Sequence, residues 1–95
     1  MKTISDTGVD ITKRFFEAIE MLRRRRKLRG LQTFTNRYGL NRWNMATARD
    51  NPTTHQIKPE CLSYLVSDYE ISARWLLTGE GEMFNGVSFE KSETE

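Results

Sequence analysis

The side chains in this sequence whose types and spacing could do chemistry lie between Arg42 and Arg49, and the chemistry they suit is the reading of nucleic-acid bases. An arginine fork matches the acceptors of guanine, an asparagine amide matches adenine, and a threonine methyl packs on the methyl of thymine. Arg42, Trp43, Asn44 and Thr47 are close enough to share the outward side of a short helix whose inner side would bury Met45 and Ala48, three residues apart. The competing reading of the same residues is a solvated polar face on an ordinary helical hairpin. A second cluster lies upstream, where Arg23, Arg24, Arg25, Arg26, Lys27 and Arg29 place six cations in seven residues. Such a run suits the negative end of a helix dipole, but its members repel one another unless an anion is near, which favours a phosphate clamp. Arg37 and Arg49 are further candidates for phosphate contact.

No arrangement here points to catalysis. Cys61 and His55 are six residues apart without a third group to orient the imidazole. His55 has no second His or Cys at ligand spacing, so neither a metal nor another cofactor is expected. Cys61 reads as a small buried hydrophobe.

The elements that must hold the reading residues are legible around them. Phe34 and Tyr38, four apart, share one face of a helix of about two turns. Gly39 can take the positive φ of a sharp corner, Leu40 can plug it, and Asn41 is a good cap for the next helix. Asp50-Asn51-Pro52 ends that helix, because proline disfavours helical geometry in the residue before it. Two short helices joined through a glycine form a helix-turn-helix pattern. Upstream, Asp10 caps a helix running to about Lys27, with Ile11, Phe15, Ile19 and Leu22 as its buried stripe and Phe16 at its margin. Downstream, Pro59 opens a helix to Tyr69 with Leu62, Leu65, Val66 and Tyr69 inward and Cys61 at the edge. Ser72 caps a last helix ended by Gly79, whose Trp75, Leu76 and Leu77 are expected to close the core. Glu80 to Phe84 reads as a turn that folds Met83 and Phe84 back.

Ninety-five residues suffice for one modest core, and the expected class is all-α. No apolar run approaches the length of a membrane span and no apolar leader opens the chain, so a cytoplasmic protein is expected, in keeping with a single cysteine. The net charge of +2 conceals an asymmetry. Residues 13–58 hold twelve Lys/Arg against Glu17, Glu20 and Asp50, a balance of +9, whereas residues 59–95 hold Arg74 and Lys91 against eight acids, a balance of −6. Positive charge thus accumulates where the helix pair lies, and phosphates attract such a patch without regard to sequence.

The stretch FTNRYGLNRWNMATA, Phe34 to Ala48, resembles the helix-turn-helix of the phage-repressor-like family, and ISARWLLTGEGEMF, Ile71 to Phe84, is similar to the end of the DNA-binding domain in small bacterial and phage regulators. The resemblance covers roughly residues 10–84 and implies a five-helix, lambda-repressor-like DNA-binding domain with its helix-turn-helix at the second and third helices. It implies base reading by Arg42, Trp43 and Thr47, with Asn41 and Asn44 in cap and backbone-contact slots. The family's phosphate-directed Gln at the start of the second helix falls on Leu31 here, with Gln32 one place later, and its small inter-helix residue is Thr35. The organisation expected is a flexible arm over residues 1–9, a domain over 10–84 and an acidic tail over 85–95. The expected role is sequence-specific binding of double-stranded DNA by a transcriptional regulator acting as a homodimer, its subunits meeting through the last helix and the tail. The alternative is a protein-interaction module on the same fold, with Trp43 as anchor and the tail as a docking segment.

Overall fold

A computed structural model describes residues 4–85. The first helix, α1 (Asp6–Arg24), starts earlier than Asp10, because Ser5 is itself a competent cap: its Oγ accepts from the Gly8 N–H at 3.1 Å. Residues 6–9, expected to belong to a loose arm, are therefore the opening turn of the helix, with Gly8 and Val9 buried. The Ile4 N–H donates to the Thr53 carbonyl at 2.9 Å, which ties the chain ahead of the helix to the loop after α3 (Arg42–Asp50). Gly8 serves this closeness: a Cβ there would lie 2.6 Å from Ile4 Cγ2. Residues 1–3 of the expected arm lie outside the described residues.

The buried stripe of α1 runs through Val9, Thr12, Phe15, Ala18, Ile19 and Leu22. It is rotated from the expected one, since Ile11 is only half-buried while Thr12 is fully enclosed. Phe16 stands at the margin as expected, its ring edge-on to Phe15 at 4.9 Å between centroids. The helix also stops before Lys27. Arg26 takes a left-handed φ of 63°, its N–H donating to Arg23 O at 3.0 Å while the Lys27 N–H donates to Leu22 O at 2.9 Å. This pair of bonds is a Schellman closure with arginine in the position that glycine usually holds. The chain then turns so that Leu28 is buried between exposed cations.

The second helix, α2 (Leu31–Tyr38), and α3 pack on each other, and α3 also packs on α1. Phe34 is fully buried, 5.6 Å from the Phe15 ring and 5.0 Å from Tyr38 between centroids, so an aromatic series joins α1 to α2. By its contacts the chain groups into two compact units that divide between Lys58 and Pro59. The second unit contains α4 (Pro59–Asp68) and α5 (Ala73–Thr78). On α4, Cys61 and Leu65 are the buried pair; Leu62, Val66 and Tyr69 are half-buried, so the inward face is turned from the expected stripe. Ser72 caps α5 through a bond from the Trp75 N–H at 3.2 Å, and Gly79 ends it in the left-handed region. Of the three apolar residues expected in its core, only Leu76 is fully buried; Trp75 is half-buried and Leu77 exposed. Consecutive helical residues are roughly 100° apart, so three in a row cannot share one inward face. The turn after α5 does fold back: Ile71 and Phe84 form an antiparallel bridge, with Ser72 N–H to Met83 O at 2.8 Å and Asn85 N–H to Glu70 O at 2.7 Å. The remainder of the expected tail, 86–95, lies outside the described residues. Among the described residues there are five helices and no strand beyond that bridge, so the chain is all-α; none of these helices is long and apolar enough to cross a membrane.

Candidate nucleic-acid interface

The corner between α2 and α3 is built as its residues dictate. Gly39 lies at φ 66°, ψ 34°, and the Thr35 carbonyl accepts from both Gly39 N–H and Leu40 N–H, the latter at 2.8 Å. Asn41 is extended and its Oδ1 accepts from the Asn44 N–H at 2.9 Å, which satisfies a donor that the first turn of α3 cannot pair internally. Asn41 is thus held as a cap, on an exposed position. The helix ends at Asp50, as the following Asn-Pro predicts.

Met45 and Ala48 are buried, while Arg42, Trp43, Asn44 and Arg49 are exposed and Thr47 is half-buried. All four expected base readers therefore lie off the inward face of one helix. Trp43 is the most exposed large apolar residue described, at 74 %. The Thr47 hydroxyl donates back to the Trp43 carbonyl at 2.9 Å, so its proton is already used within the helix. Among the described residues Arg42 has no ion-pair partner.

The basic run is less uniform than its sequence. Glu20 holds Arg23 through two bonds, Nε to Oε1 at 3.0 Å and Nη2 to Oε2, and it also takes Arg24 Nε at 3.3 Å. The bonds from Arg23, followed by the one from Arg24, hold the Glu20 carboxyl down at about 2 from an ordinary 4.5, and the bonds to Glu20 raise Arg23. Arg49 Nε is bound to Asp50 Oδ1 at 3.1 Å, and the Arg37 guanidinium lies 5.7 Å from the centroid of the Tyr38 ring. Arg26, Lys27 and Arg29 have no ion-pair partner among the described residues.

Those three, with Arg23, Leu28 and Thr33, line an open groove, and a neighbouring groove is lined by Arg29, Gly30, Gln32, Thr33 and Asn36. The two share Arg29 and Thr33, so the basic run continues onto the polar side of α2. Thr33 and Asn36 are residues that the composition of the run does not reveal. Within α2, Asn36 follows Gln32 by four residues and Thr33 by three, the helical spacing that groups them. Comparison with protein-family models, curated proteins and solved structures gives no match.

Proposed function

We propose that this chain binds double-stranded DNA through the α2–α3 pair and acts as a phage-repressor-type helix-turn-helix transcriptional regulator. The observation that carries the reading is α3: capped by Asn41, it buries Met45 and Ala48 and leaves Arg42, Trp43, Asn44 and Thr47 off its inward face. In this reading the N-terminal turns of α3 enter the major groove while Arg26, Lys27, Arg29 and Gln32 hold backbone phosphates. Arg23, Arg24 and Arg49 join them after exchanging their carboxylate partners for phosphate. The positive balance of residues 13–58 supports the choice of a polyanion. Two such chains on a near-palindromic site would bind as a homodimer.

Selection from a pool of random duplexes at moderate salt, followed by sequencing, tests the reading. A two-fold symmetric motif is the expected result, and recovery without any sequence preference would overturn sequence-specific regulation. Arg42→Ala is expected to cost about 1–3 kcal/mol at one guanine position; an equal loss on every sequence would make Arg42 a phosphate contact.

The exposure of Trp43 favours a second reading, an interaction module that anchors an acidic protein through that indole. Negligible affinity for random duplex at low salt would favour it over DNA.

A further inference from the structure

The middle of the outward face of α3 is apolar. With roughly 100° between successive residues, Trp43, Ala46 and Thr47 fall opposite Met45 and Ala48, while Arg42 and Arg49 take one flank and Asn44 the other. Trp43 is 74 % exposed and Ala46 and Thr47 are half-buried. Thr47 lies one turn beyond Trp43 and spends its hydroxyl proton on the Trp43 carbonyl. By composition the strip is an exposed indole, an alanine and a threonine whose hydroxyl proton is already used. Asp50, at the far end of the same line, is occupied by Arg49 Nε.

We infer that this strip recognises the 5-methyl group of thymine, so that Trp43, with Thr47 beside it, sets a preference for thymine-containing duplex DNA. The inference rests on the proposed duplex reading and specifies it. In the major groove thymine alone among the four bases carries a methyl group, and small apolar side chains are its usual contacts. Hydrogen-bonding side chains, Arg42 and Asn44, flank the strip on both sides, which suits neighbouring base edges better than the apolar pocket of a protein partner. Charge complementarity points the same way. The cations of the α1–α2 groove belong to the same unit as the strip, and residues 13–58 carry +9. The contact also separates DNA from RNA, because uracil lacks this methyl.

The test uses the full chain and the best duplex recovered from the random pool, with each thymine replaced in turn by deoxyuridine, a change that removes only the methyl. At one or two positions the affinity is expected to fall roughly fourfold per methyl, the equivalent of about 0.8 kcal/mol for one buried carbon. Trp43→Ala is expected to bind the thymine duplex more weakly and to be indifferent to uracil at those positions. Thr47→Ser, which keeps the hydroxyl and removes the methyl, is expected to lessen the uracil effect. Circular dichroism verifies that both variants stay folded, as the exposure of Trp43 leads one to expect. Equal affinity for every uracil duplex would overturn the inference while leaving sequence-specific DNA binding intact. So would a Trp43→Ala protein that remains fully sensitive to uracil. Failure of the unaltered protein to bind any duplex would instead remove the DNA reading and this inference with it.

Discussion

Thr12 sits in the middle of the inward stripe of α1, fully buried, and its Oγ1 has no hydrogen-bond partner among the described residues. A buried hydroxyl deprived of its hydrogen bonds to water costs about 1–3 kcal/mol unless the fold replaces them. Valine has the same branching and nearly the same shape without the polar atom. Thr12→Val is therefore expected to raise the unfolding free energy by about 1 kcal/mol, seen as a higher urea midpoint with an unchanged slope. A lower midpoint would mean that the hydroxyl is paired in solution. This residue also explains why the stripe of α1 reads off-centre in the sequence. Ile11 is the apolar residue at that level and Thr12 is polar, yet the buried face also takes in Gly8 and Val9 beside Phe15, Ile19 and Leu22, and on that face position 12 is more central than position 11. Trp43 and Thr47 are the opposite case, because their outward place follows directly from the inward place of Met45 and Ala48.

At the scale of elements, α1 and α2 end through left-handed residues of different kind. Gly39 closes α2 at φ 66° and Arg26 closes the end of α1 at φ 63°. A Cβ built at Gly39 meets nothing within 4 Å, so only its backbone conformation resists a side chain. Gly39→Ala is thus expected to destabilise by about 1 kcal/mol, and Arg26→Gly to stabilise by about half as much, since glycine adds freedom to the unfolded chain. Thermal unfolding of the two variants checks both signs; a neutral Gly39→Ala would deny that this corner needs its positive φ. The same contrast accounts for what could be read in advance. The bounds of α2 and α3 are marked by Gly39, Asn41 and Pro52, each with a distinct local preference, and the helices end where those residues say. The start of α1 is obscured by two possible caps, Ser5 and Asp10, with a glycine between them that reads as a breaker but is needed for close approach. Its end is obscured because arginine does not announce a positive φ. Within the basic run, pairing with Glu20 depends on how far the helix extends, so it too lies beyond composition. That pair has its own signature in pH. The folded carboxyl of Glu20 is held at about 2 against an ordinary 4.5. Its contribution is therefore fully present above 4.5 and is lost as the pH falls from 4.5 through 2. The group is exposed and screened, so the effect on overall stability is small. A carboxyl-carbon NMR titration is expected to show Glu20 titrating at about 2; a midpoint at the ordinary 4.5 would mean that the arginine bonds do not persist in solution.

For the whole molecule, charge and contact topology divide at the same place. The boundary between the compact units falls between Lys58 and Pro59, and the balance of +9 over residues 13–58 gives way to −6 over residues 59–95. Under the proposed DNA reading, the charge of the first unit draws the polyanion to it before any specific contact forms. How strongly the first unit responds depends on which cations are available, and the count from composition is too generous. Glu20 occupies Arg23 and Arg24, and Asp50 occupies Arg49, whereas Arg26, Lys27 and Arg29 have no carboxylate partner among the described residues. Each phosphate neutralised on duplex DNA contributes about 0.9 to the slope of log affinity against log salt. At the proposed interface, Arg26→Ala, Lys27→Ala and Arg29→Ala are each expected to reduce that slope by roughly 1 and to weaken binding to all sequences alike. Arg49→Ala should reduce it less, because its neighbour already offsets part of its charge. Glu20→Gln should steepen the slope, since the two arginines it releases become available to phosphate. Binding isotherms for random duplex across a range of salt concentrations decide the matter. Equal effects from Arg29→Ala and Arg49→Ala, or no change with Glu20→Gln, would show that these ion pairs exert no control over the interface.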